Sequence, residues 1–105
     1  MSEATTMLLT AAFVLAFAAI GPPDDFVPAE GYVPTAEVAI KIAVAVWEPI
    51  YGAEKIAEEK PYKATLAEGV WTVEGTLPKR YTKGGVALAE ISKRDGRILR
   101  VTHGK

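Results

Sequence analysis

From Ala36 to Trp47 the only polar residues are Glu37 and Lys41, four apart, and Glu48 continues that stripe. Residues three and four apart share a helix face, so the pattern predicts a helix with one narrow wet stripe and an apolar surface elsewhere. Pro34-Thr35 opens it. The Thr35 hydroxyl is placed to cap the first turn, and Glu37 lies where the helix dipole favours a negative charge. Pro49 is expected to end or kink the helix, because the residue before a proline avoids helical angles, and Ile50-Tyr51-Gly52 reads as a turn. Ala53 to Glu59 reads as a short second helix anchored by Ile56 and stopped by Pro61. A first helix so nearly apolar is expected to be wrapped by a curled sheet, with its alanines letting strand backbone approach closely.

After Pro61 the hydrophobic period changes from 3.6 to 2. Tyr62, Ala64 and Leu66 alternate with Lys63 and Thr65; after an Ala67-Glu68-Gly69 turn, Val70 to Leu77 alternates again. Val86 to Ser92 and Ile98 to His103 read as third and fourth strands. The set expected to face the helix is Tyr62, Ala64, Leu66, Trp71, Val73, Ala87, Ala89, Ile91, Leu99 and Val101. In the last hairpin, Ile91 is expected opposite Leu99 and Glu90 opposite Arg100, leaving a three-residue loop, Arg94-Asp95-Gly96, with glycine at positive φ. The order predicts an α+β fold, a helix packed against a curved four-stranded antiparallel sheet.

The N-terminal third is different in kind. Thirteen of the fourteen residues from Met7 to Ile20 are apolar, and Ala4 to Pro23 carries no charge. A fourteen-residue helix reaches about 21 Å, short of the ~30 Å hydrocarbon slab. The length suits a secretory signal peptide, with Ala16 and Ala18 supplying the small residues of a cleavage site before Ala19. An uncleaved membrane anchor, a mis-assigned start and a packed helix are the alternatives. Residues 21–34, with four prolines and three acids, read as an extended acidic linker, which leaves residues 35–105 as one domain. Export to the periplasm or cell envelope is expected, or a cytoplasmic location if the segment is not a signal.

Composition narrows the chemistry. There is no cysteine and one histidine, which excludes a disulfide scaffold and a thiolate metal site and leaves little for a histidine-based centre. His103 reads as a rim histidine with a local hydrogen bond. No carboxylate belongs to the inward-facing set, so no buried base is expected; the chain reads as a non-enzyme without cofactor or metal. Gly84-Gly85 and Asp95-Gly96 read as turns, not phosphate cradles. The net charge of −1 hides an asymmetry: residues 60–105 carry ten basic and four acidic side chains. Lys79, Arg80 and Lys83 share one loop, Arg94 and Arg97 one hairpin tip, and Arg100 an outer strand face with Glu74 and Glu90. These eight are the candidate protein-binding residues, by attraction to an acidic surface. Tyr81 alone is interleaved with the basic side chains, so nucleic acid is not expected as a partner.

Several runs carry a resemblance: Pro34-Thr35-Ala36-Glu37-Val38-Ala39, Pro49-Ile50-Tyr51-Gly52, Val70-Trp71 and Val73 followed by Glu74-Gly75-Thr76-Leu77-Pro78, Gly84-Gly85-Val86-Ala87, Glu90-Ile91-Ser92, Asp95-Gly96-Arg97-Ile98 and Thr102-His103-Gly104-Lys105. In that order they resemble bacterial immunity proteins with a nuclear-transport-factor-2-like fold, from polymorphic toxin systems. The resemblance covers nearly all of residues 34–105. It implies a reduced version of that cone, cystatin-like in outline, and a role in binding and neutralising a cognate toxin by covering its surface. A secreted peptidase-inhibitory or regulatory module and a small-molecule-binding cone are the alternatives. The cone predicts an open cavity of several hundred Å³.

Overall fold

The computed structural model describes residues 26–104. The expectations for residues 1–20, signal peptide or anchor, lie outside the described residues. Among those described, no helix is long and apolar enough to cross a membrane.

Helix α1 (Ala36–Tyr51) starts where the sequence places it: Thr35 is extended, and its hydroxyl accepts the Val38 N–H at 3.3 Å. It does not stop at Pro49 but runs two residues further, to Gly52 at φ 99°, whose N–H bonds the Glu48 carbonyl at 2.8 Å. Proline leaves the carbonyl four residues back without a donor. That residue is Ala45, on the exposed side of the helix, where its carbonyl is open to solvent. Helix α2 (Ala53–Ala57) follows, with Ile56 fully buried.

Four strands form an antiparallel meander in the order β1 (Lys63–Ala67), β2 (Val70–Glu74), β3 (Ala87–Ser92), β4 (Ile98–His103). Glu68 and Gly69, both at positive φ, make the two-residue turn between β1 and β2, whose backbone twist matches that of the strands it joins. The α+β architecture expected from the change of period is the one observed.

The sheet, however, does not wrap the helix. Strands of five or six residues give a layer of about 20 Å by 15 Å, enough for one side of a ~24 Å helix. Only Ala39, Ala43 and Trp47, one row at i, i+4, i+8, are fully buried on α1, and Ile50 is 57% exposed. The core is this row against Trp71, Val73, Ala87, Ala89 and Ile91, with Tyr62, Ala64 and Val101 half-buried around it.

Two members of the expected inner set are not covered: Leu66, on edge strand β1, is 43% exposed and Leu99 41%. For Leu99 the cause is register. Ser92 N–H bonds the Arg97 carbonyl at 2.9 Å, so the hairpin loop has four residues, Lys93 to Gly96, rather than three. Glu90 still pairs with Arg100, but Ile91 pairs with Ile98, and Leu99 is the extra residue of a bulge.

Part of the expected linker also belongs to the folded unit. Tyr32 and Val33 donate their N–H groups to the Arg94 and Lys93 carbonyls at 2.9 and 3.0 Å. Val33 is buried, and its carbonyl accepts the Trp71 indole N–H at 2.8 Å. Gly31, at φ 85°, passes so close to the Lys93 backbone that no Cβ fits there.

Candidate functional site

Antiparallel pairing decides which loops share an end of the sheet. The β2–β3 loop (residues 75–86) leaves the end of β2 and enters the start of β3, beside His103 and α2. The β3–β4 loop lies at the other end, beside the β1–β2 turn and the docked residues 31–33. The two basic loops read together from the sequence are therefore at opposite poles, about 20 Å apart along the six-residue β3.

At the hairpin pole all but one of the cations have acidic neighbours. Arg97 lies 3.8 Å from Asp95, Lys93 lies 3.5 Å from the Glu30 carboxylate and also bonds the Glu30 carbonyl, and Arg100 lies 3.4 Å from Glu90 across the outer face. The Arg97 backbone N–H, then the Ser92 hydroxyl, hold the Asp95 carboxyl below its usual range. Arg94 has no ion-pair partner among the described residues. Glu74 sits half-buried on β2, registered between Lys63 and Leu88. A hollow of about 150 Å³ is lined by Glu30, Gly31, Gly69, Lys93 and Arg94 among others.

The β2–β3 pole holds what the sequence did not reveal. Glu59, just after α2, is 3% exposed. One carboxylate oxygen accepts the Ala87 N–H at 2.8 Å; the other lies 2.7 Å from His103 Nε2. The expectation of an interior without a carboxylate is thus wrong. Gly75 makes room for it, since a Cβ there would strike the Glu59 side chain. His103 Nδ1 meets the Gly104 carbonyl at 3.0 Å, the local hydrogen bond expected, and the ring lies against Tyr51 at 5.0 Å between centroids. Both ring nitrogens thus face partners within the domain. The pair ties α2, the start of β3 and the end of β4 together.

One signal did point to Glu59. It is three residues after Ile56, on the same helical face as the residue that anchors α2. Register likewise turns His103 inward, opposite buried Ala87.

Above this pair lies a shallow hollow of about 210 Å³, lined by Lys55, Leu77, Tyr81, Lys83 and His103 with glycine backbone between them. Gly85 and Gly104 pack with no room for a Cβ at Gly85. Lys79 and Arg80 belong to the same loop. Arg80 bonds Glu58 at 2.6 Å and lies over the Tyr81 ring; the Glu58 bond, then the Tyr81 hydroxyl, raise its guanidinium further above its ordinary range.

Residues 38–105 match the family described as NTF2 fold immunity protein. The chain belongs to that family. Membership agrees with the motif order quoted above and with a helix on an open four-stranded antiparallel sheet. Within the curated proteins, this immunity-family chain is 43% identical over 68 residues to uncharacterized protein YhhH of Escherichia coli (strain K12), covering 65% of this chain and 54% of that one. It is 37% identical over 73 residues to uncharacterized protein YbbC of the same strain, covering 70% of this chain and 60% of the relative. The chain thus spans a little over half the length of the curated relatives it matches. No solved structure matches it.

Proposed function

We propose that this chain neutralises a cognate toxin by binding and covering its surface, without chemistry of its own. The observation that carries this is the family match over residues 38–105. The geometry supports it in two ways. The one histidine has both ring nitrogens engaged, which suits a structural role better than proton transfer. The interface between α1 and the sheet is filled by Trp47, Trp71 and alanines, and the two hollows, of about 150 and 210 Å³, lie at the poles and not beneath the strands. That favours occlusion over a small-molecule cone, whose pocket would hold roughly 300 Å³ or more. Contacts are assigned to the exposed cations Lys79, Arg80 and Lys83 at one pole and Arg94 and Arg97 at the other, and to exposed Arg100 with half-buried Glu74 and Glu90 on the sheet face between them. We further propose that the chain acts in the periplasm or cell envelope, through its apolar N-terminal segment.

Co-expression of the full chain with each toxin encoded beside it, in a sensitive host, tests the proposal. Restored growth and a co-purifying complex are expected with one of them. A folded, expressed chain that rescues against none would overturn it.

A further inference from the structure

The hollow at the β2–β3 pole is chemically one-sided. Lys55 projects into its wall from α2 and Lys83 from the β2–β3 loop, and among the described residues neither has an ion-pair partner. Among the described residues no carboxylate lines it. Glu59, the acid beneath, is 3% exposed and has both oxygens engaged, by His103 and by the Ala87 N–H. Glu58, close in sequence, is held by Arg80 at 2.6 Å. What remains is a pair of ammonium groups beside a tyrosine and a leucine, the complement of a short acidic side chain with a methylene stem. At about 210 Å³ and open to solvent, the hollow is smaller than a typical enclosed metabolite pocket. It is wide enough for a side chain that arrives attached to another surface.

We infer that this hollow seats an aspartate or glutamate side chain of the partner protein, with Lys55 and Lys83 closing on the carboxylate and Tyr81 covering its stem. The inference rests on the toxin-binding reading and assigns the recognition to one pole. The hairpin pole is the contrast, since Arg97, Lys93 and Arg100 each already face an acid of this chain and only Arg94, of its cations, does not among the described residues. The Glu59–His103 pair positions the hollow by holding α2 and the last strand together beneath it.

The full chain titrated with an acetylated, amidated hexaglutamate peptide, followed by backbone amide shifts at low ionic strength, tests this. Saturable shifts are expected at Lys55, Lys83, Gly85, His103 and Gly104, and none with hexaglutamine. Lys55→Gln and Lys83→Gln should each weaken binding by about fivefold, the upper end for one exposed ion pair. Lys41→Gln, on the exposed stripe of α1 beside Glu37, should leave it unchanged. Shifts centred on the hairpin, equal weakening by Lys41→Gln, or indifference to the Lys55 and Lys83 changes would overturn the inference. Growth rescue by a chain that fails the peptide test removes the hollow and leaves occlusion standing. A peptide response without rescue by any neighbouring toxin does the reverse.

Discussion

At the hairpin pole, Asp95 and Arg97 keep 47% and 70% of their side-chain surface in water; at the opposite pole, Glu59 and His103 keep 3% and 15%. Both are acid–base pairs at the end of the same two strands, yet they carry different weight. An exposed pair gains little, because water and salt screen it and two side chains must be held still. A buried pair is costly to form and more costly to break, since removing one member strands the other without a partner. A run of charges in the sequence does not distinguish these cases; the depth of each side chain does.

The sharpest way to break the comparison is to delete one acid from each pole. Glu59→Ala should destabilise the fold by about 3 kcal/mol, as it orphans the Ala87 N–H and leaves His103 unpaired beneath the hollow. Asp95→Ala should leave the urea midpoint within experimental scatter. Glu59→Gln separates charge from shape. Its carbonyl can still accept from Ala87 and its amide can donate to a neutral Nε2, so it should lose clearly less than the alanine variant. Equal losses for the two would assign the whole effect to charge.

The tryptophans extend the contrast. Trp71 donates its indole N–H to the Val33 carbonyl, whereas the Trp47 indole N–H is buried without a partner among the described residues. Trp71→Phe should therefore cost about 1–2 kcal/mol and speed hydrogen exchange at Tyr32 and Val33. Trp47→Phe, though the more deeply buried site, should cost less, because it also removes an unsatisfied donor. A larger loss from Trp47→Phe would mean that ring volume outweighs the orphaned donor.

Next in size is the response to alkali. Burial, then the charges of Glu48 and Glu59, raise the Tyr62 hydroxyl above its ordinary 10.0. Its O–H also donates to the Ile56 carbonyl at 2.8 Å. The neutral form is favoured in the fold, so this contribution is whole below pH 10 and is lost as pH rises through the folded value. Tyr62→Phe should cost about 1 kcal/mol at neutral pH and flatten the alkaline limb of a denaturation series.

The smallest effect is the mirror image at the hairpin. Asp95 is held below its ordinary 3.8, so its contribution is present above that pH and is lost as pH falls through the lowered value. Asp95→Asn should remove only a shallow acid limb, and a deep one would contradict its exposure.

Much of the fold was legible because local chemistry and tertiary packing agree. The switch of period at Pro61, the Glu68-Gly69 turn and the alternation around Trp71 and Val73 each have a nearby cause. Three features had distant causes. Ile98 and Leu99 are adjacent and both apolar, so alternation could not choose which would face inward; loop length and a bulge decided it. The apolar surface of α1 read as full envelopment, but four short strands cover only one side of a sixteen-residue helix. Glu59 stands in an acidic run that reads as solvated, and the histidine that draws it inside is 44 residues further on. The site suffered most from this. The division of the eight charged candidates between two poles, and the place of Lys55 in the wall of the hollow, followed only from strand pairing.

The docking of Tyr32 and Val33 against the hairpin fixes where the polypeptide enters the domain. That entrance lies the full length of the six-residue β3, roughly 20 Å, from the lysine-lined hollow. Attaching the protein to a bead or a sensor chip through its amino-terminal side would leave the hollow turned toward the solution. The same holds for any natural tether on that side: the domain would ride with its lysines outermost, ready to meet an incoming protein.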